Sequence, residues 1–175
     1  MTYRQYHGVD DTSTNTWYHR VVAEPRWLDE RQQHVWQAYL HMNQHLYAAL
    51  EDQLARDAGL SGADYKVLHP LSQAPDGLLR AREICTEIGW DRSRLSHHLT
   101  RMEKRGLVTR EECSEDARGL MVRLTDAGRK AIEDAAPNHA DAVQRSFFDL
   151  ISKKELETLA SVFDRVLDNL NGEST

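Results

Sequence analysis

From Arg82 to Thr125 the chain reads as a short helix, a tight turn, a second helix and two strands. That order leaves few folds open. Its centre is the second helix. Between Asp91 and Arg105, Leu95, Leu99 and Met102 recur at intervals of four and three residues, which lines one side of a helix with apolar groups. The opposite side carries Ser93, His97, Thr100 and Lys104, flanked by Arg94 and Arg101. Asp91 suits the N-cap, and Gly106 suits the left-handed residue that ends a helix. The segment holds five Arg or Lys against two carboxylates, whereas the whole chain has a formal net charge of −6. A basic face concentrated inside an acidic protein is a footprint for phosphate. Taken alone, a solvated basic helix face is an equally good reading.

The neighbouring segments shift that balance. Upstream, Ile84, Cys85 and Ile88 fall on one face of a short helix from Arg82, and Gly89 supplies the positive φ of a sharp turn. Helix, glycine turn and helix with a basic outer face form a helix-turn-helix, whose second helix enters the major groove. Downstream, residues 107–112 and 120–124 have strand composition, separated by the polar turn Cys113-Ser114-Glu115-Asp116-Ala117-Arg118-Gly119. Two strands after such a helix make a wing. Arg118 near its tip is the candidate for a minor groove, with Asp116 placed to hold it. Leu78-Leu79-Arg80 is a candidate third strand.

These residues resemble the MarR family of regulators. The likeness rests on Asp91-Arg92-Ser93-Arg94-Leu95-Ser96, on Met102-Glu103-Lys104-Arg105-Gly106-Leu107-Val108, and on the wing Asp116-Ala117-Arg118. Its most specific part is that Asp-x-Arg wing followed by a strand and Leu124-Thr125-Asp126-Ala127-Gly128. The fit runs from about Leu28 to Leu170. It implies a homodimeric winged-helix transcription regulator, often a repressor released by a small ligand. In similar proteins, ligands such as phenolic acids bind where the DNA-binding lobe meets the dimer helices. By position, Trp36, Tyr39, Tyr65 and His69 are candidates to line such a pocket, with ordinary aromatic core as the competing reading.

The expected fold class is therefore mainly α with a small β-wing: a winged helix-turn-helix flanked by N- and C-terminal dimerisation helices. Residues 1–27 are polar and aperiodic and read as an arm. Residues 28–175 form one unit, with the DNA-binding lobe at 60–125 and dimerisation helices at 28–58 and 126–171. Asp29 and Gln32 make a capping-box-like pair, and Val35, Tyr39, Met42, Leu46, Leu50 and Leu54 continue a helical stripe to about Arg56. Ser61 to Asp64 caps the next helix, in which Pro70 is expected to kink or end the run. Thr125 caps a helix carrying Ile132, Ala136, Val143 and Phe147, bent at Pro137. Ser152 with Glu155 is a capping box, followed by the stripe Leu156, Leu159, Phe163, Val166 and Leu170. The first and last helices offer more apolar face than one small lobe can bury, which points to a helical dimer interface.

Composition bounds the function. No apolar run approaches the roughly 18 residues of a membrane helix, and no apolar signal core follows Met1, so a cytoplasmic protein without a membrane partner is expected. Two cysteines, Cys85 and Cys113, make no disulfide framework. His41 and His45, at i and i+4, are candidate metal ligands, though exposed helix histidines are the commoner case. No phosphate-cradling loop, nucleophile elbow or metalloprotease motif is present, so no catalytic residue, cofactor or resident metal is expected.

The expected DNA contacts are Arg92, Ser93, Arg94, Ser96, His97, Thr100, Arg101, Lys104 and Arg118, on double-stranded DNA. His98 lies beside the apolar face and should be packed. The competing classes are a winged-helix protein-interaction module without DNA, and a redox- or metal-responsive regulator.

Overall fold

The computed structural model describes residues 26–112 and 120–172. Contacts divide the chain into two units, Met1–Ala38 and Tyr39–Thr175. In the first, Asp29 and Gln32 cap the start of helix α1 reciprocally: the Asp29 N–H donates to Gln32 Oε1 at 3.0 Å, and the Gln32 N–H to Asp29 Oδ1 at 2.7 Å. Helix α1 runs over Glu30–Ala58.

The remaining elements follow the expected order. Helix α2 is Gly62–Gln73, and a single 3₁₀ turn leads to strand β1, Leu78–Arg80. Helices α3, Ala81–Ile88, and α4, Arg92–Lys104, precede strands β2, Val108–Glu112, and β3, Leu120–Leu124. Helices α5, Asp126–Ser146, and α6, Lys153–Leu170, complete the chain. The sheet has the order β1-β3-β2, antiparallel throughout, so the candidate third strand is present. Among the described residues the architecture is mostly helical with a small wing sheet.

One core serves this lobe. Leu54 from the end of α1, Val67, Leu68 and Leu71 from α2, and Ile84 from α3 meet Leu95, Leu99 and Met102 from α4. Val108, Val122, Leu124 and Ile132 close it from the sheet and α5. Burying such side chains contributes about 1.5–3 kcal/mol each, so the wing and both helices of the corner are held by shared apolar contact.

Gly128 shows why the Leu-Thr-x-x-Gly signature takes that form. A Cβ there would lie 2.0 Å from the Leu107 carbonyl oxygen. Glycine lets α5 start against the chain entering β2. Thr125 completes the joint, because its hydroxyl oxygen accepts from the Gly128 N–H at 3.0 Å and lies 2.6 Å from the Gly106 carbonyl.

Of the two outcomes expected at Pro70, a kink or an end, the second does not occur: helix α2 runs through it to Gln73. The bond lost at the proline would have gone to the carbonyl of Lys66, an exposed residue, where water can replace it. Burial of Leu71 and the Ala74 N–H donating to the Pro70 carbonyl at 3.1 Å hold the final turn. Helix α5 continues through Pro137, where a bend and not an end was expected. One expectation needs correction: Phe147, placed on α5 by the sequence, stands just past its end with φ −134°.

Candidate nucleic-acid interface

The corner between α3 and α4 is built from three punctuating residues. Gly89 takes φ +67° and stops α3. Trp90 follows, its N–H donating back to the Cys85 carbonyl at 3.0 Å, and Asp91 caps α4 by accepting from the Arg94 N–H at 2.9 Å. Helix α4 turns Leu95, His98, Leu99 and Met102 into the core. Arg92, Ser93, Arg94, Ser96, His97, Arg101 and Lys104 are exposed, and Thr100 is half-buried with its hydroxyl donating to the Ser96 carbonyl at 3.0 Å. Every α4 residue expected to meet DNA therefore lies off the buried face. Arg118, the expected wing contact, lies outside the described residues, as does Cys113.

One edge of α4 carries Arg94, Arg101 and Arg105, and each guanidinium has a fixed partner. Arg94 lies over the Trp90 ring, 4.2 Å from its centroid, a cation–π contact. Arg101 Nη2 is 2.9 Å from His98 Nδ1. Arg105 donates to Asp64 Oδ2 at 2.6 Å and to the Gly59 carbonyl at 2.7 Å.

Asp64 is the anchor beneath this edge. It is only 2% exposed. It also accepts from the Ser61 N–H at 2.9 Å, closing the capping box of α2. Burial alone would push its carboxyl up, but bonds from His98, the Ser61 backbone and Arg105 outweigh burial and hold it well below the usual carboxylate range. His98 bridges the two elements. A guanidinium only donates, so His98 Nδ1 must accept from Arg101, and the proton of the neutral ring sits on Nε2. That nitrogen is 3.1 Å from Asp64 Oδ1 in a bent contact that is chiefly electrostatic. Trp90 stands edge-on to the His98 ring, with centroids 5.4 Å apart.

The wing is tied to the same helix. Arg110 pairs with Glu103 of α4 through its side chain and donates its backbone N–H to the same carboxylate at 3.0 Å. Arg123 on β3 binds Glu111 on β2 through two nitrogens, a diagonal cross-strand pair.

The residues expected to line a ligand pocket are distributed as follows. Tyr65 and His69 stand together on α2 with ring centroids 5.9 Å apart. Tyr65 also lines a cleft of about 280 Å³ with Tyr47, Lys66, Trp90, Arg94 and His139. Tyr39 is 42% exposed on α1, and Trp36, 50% exposed, lines a separate concavity with Leu28, Arg31 and Val35. The His139 ring is tilted by 44° against that of Tyr65, with centroids 4.3 Å apart, and burial, with His69 nearby, lowers its basicity. Burial raises the Cys85 thiol, with Arg92 opposing, which disfavours thiolate chemistry there. His41 and His45 are exposed, and the described residues hold no group of three or more His, Cys, Asp or Glu arranged for a metal ion. No described helix is long and apolar enough to cross a membrane.

This geometry can be set against known proteins. The MarR family profile matches residues 58–119, a span that takes in α2, β1, the corner of α3 and α4, and β2. Sco3205, a MarR family transcriptional regulator from Streptomyces coelicolor solved in complex with DNA, is 38% identical over 85% of this chain and 92% of its own, with a TM-score of 0.81. The chain belongs to the MarR family. AbsC, another MarR family regulator from the same organism, is 35% identical over 85% of this chain and 99% of its own, with a TM-score of 0.80. The HTH-type transcriptional repressor YetL of Bacillus subtilis is 25% identical over 72% of each chain. The protein is thus a MarR family transcription regulator with a winged helix-turn-helix fold.

Sequence reading found the exposed faces of this MarR-family helix but missed what braces them. Trp90, Asp64 and Arg105 were not on the expected contact list. The capping role of Asp64 was legible as Ser61-x-x-Asp64. Its bond to Arg105, 41 residues away, had no local signal.

Proposed function

We propose that the protein is a homodimeric repressor that sets two copies of α4 into successive major grooves of a pseudo-palindromic operator. The observation that carries this is the exposed basic edge of α4, in a chain 38% identical to a MarR family regulator solved on DNA. Arg92, Arg94, Arg101 and Lys104 reach the phosphate backbone or bases, Ser93, Ser96, His97 and Thr100 reach base edges or phosphates, and Arg118 enters the adjacent minor groove. The N-terminus of α4 turns its dipole and free N–H groups toward a phosphate.

The helical ends supply the second subunit. On α6, Leu156, Phe163, Val166, Leu167 and Leu170 are all exposed, as are Leu40, Met42 and Tyr47 on α1. Apolar stripes of that extent call for a partner, and a second copy satisfies both. Regions 28–58 and 126–171 are accordingly the dimerisation parts, and 60–125 the DNA-binding part.

An effector has a place to act. The cleft beside Tyr65 offers aromatic walls and two cations, Lys66 and Arg94, against one carboxylate, Glu51, a balance that suits a small aromatic acid. Such a ligand would touch α1 and the DNA-reading helix together. It would shift the equilibrium to the extent that it prefers one spacing of the two helices.

The deciding experiment is binding to the upstream intergenic DNA across a salt series, with random DNA as control. Specific binding that falls steeply with salt is expected. Affinity equal to that for random DNA, after selection from a random library also fails, would overturn the reading in favour of a protein partner.

A further inference from the structure

The Asp64–His98–Arg101 chain joins a buried carboxylate to an arginine on the DNA-facing helix. Asp64 belongs to α2 and the other two to α4, so the chain crosses an element boundary inside the lobe. A free arginine side chain loses rotamer entropy when it is held in one pose, and a contact made after binding has to offset that loss. His98 removes part of this loss in advance by offering a fixed acceptor. The acceptor is Nδ1 of the tautomer that carries its proton on Nε2, and the Asp64 carboxylate facing Nε2 selects that tautomer. Ser61 and Arg105 hold Asp64 in turn, and the Trp90 edge fixes the ring plane.

We propose that His98 is a positioning residue for DNA binding: its imidazole, oriented by Asp64, holds the Arg101 guanidinium in the pose that meets DNA. This rests on the DNA-binding reading above and adds to it a buried residue that never touches the nucleic acid.

Two substitutions separate the two ends of the ring. His98→Gln places an amide nitrogen where Nε2 stands, keeping the contact to Asp64 and losing the acceptor for Arg101. His98→Asn places an amide oxygen where Nδ1 stands, keeping the acceptor and losing the contact to Asp64. A merely structural histidine predicts that DNA affinity follows stability in both variants. A positioning histidine predicts a split.

The experiment is a double-mutant cycle on specific DNA, with wild type, Arg101→Ala, His98→Gln and the double variant, plus His98→Asn as rescue, and thermal unfolding of each. Arg101→Ala is expected to weaken binding about tenfold and to reduce the salt slope by about one. His98→Gln should fall by a similar factor at near-native unfolding temperature, and the double variant should be no weaker than Arg101→Ala. His98→Asn should unfold earlier yet bind within about threefold of wild type, a smaller loss than the tenfold of one contact. Full additivity, or wild-type affinity in His98→Gln beside a weakened Arg101→Ala, would overturn the relay alone. Unchanged affinity in Arg101→Ala would remove both the contact and the relay. Failure of wild type to prefer specific DNA would instead overturn the DNA reading itself. Should His98→Gln not fold, the His98→Asn arm decides: affinity lost in step with Arg101→Ala would overturn the proposal.

Discussion

The DNA-binding lobe and the long terminal helices were written with the same apolar periodicity, yet they end in opposite states. In α4, four residues reach the core. In α6, no residue is buried, and Phe163 and Leu170 remain 43% and 72% exposed. The lobe satisfies itself: its helices, sheet and buried Asp64 close around one core. Among the described residues of Tyr39–Thr175, nothing closes over the α6 stripe. The lesson is that a hydrophobic stripe specifies a face to be covered, and only geometry decides whether the cover comes from the same chain.

The contrast can be broken from the lobe side first. Asp64→Ala should cost about 2–3 kcal/mol, because α2 loses its capping box and Arg105 and His98 lose the carboxylate they were arranged around. Denaturant unfolding measures it, and a loss below 1 kcal/mol would mean the cluster contributes little. The sign with pH follows from the lowered carboxyl. Its stabilisation is fully present above the ordinary carboxylate value of about 4 and is lost as pH falls below it toward the folded value. The wild type should therefore have a steeper acid limb than Asp64→Ala.

The helical side should break differently. Phe163→Asp puts a charge into the α6 stripe and should weaken self-association by about 2 kcal/mol or more, the range of an interface hot spot. Sedimentation equilibrium would show monomer, with helix content by circular dichroism retained. A dimer of unchanged affinity would place the interface elsewhere.

Two smaller effects sharpen the comparison. Gly128→Ala forces a methyl against the Leu107 carbonyl and should destabilise by about 1–3 kcal/mol, read as a lower midpoint without a changed denaturant slope. Lys104→Ala should leave unfolding unaltered and reduce the salt slope of DNA binding by about one, equally on specific and random DNA. A loss confined to specific DNA would make Lys104 a base reader.

Much of the lobe was legible because its signals are local. Gly89, Asp91, Gly106, Thr125 and Ser152 each act within a turn of their own position, and each stands where the sequence placed it. The outward residues of α4 followed from helical spacing alone. At Pro70 the local rule left a kink or an end open, and context decided against the end. Pro70 removes a bond near the end of α2, where a buried Leu71 keeps the turn in place. The bracing of the arginine edge was illegible for the converse reason: Asp64 and Arg105 attract one another only after two helices have packed.

The sequence by itself determined the order of elements, their caps, the buried and outward sides of α4, and the charge on its exposed face. These follow from backbone conformation and side-chain period, which act over a few residues. Tertiary structure alone decided which ionic groups meet. It buried Asp64 under α4, set His98 between it and Arg101, laid Arg94 on Trp90, and left α6 uncovered. Such pairings depend on distances across packed elements, and no period in the chain encodes a distance between residues 41 positions apart.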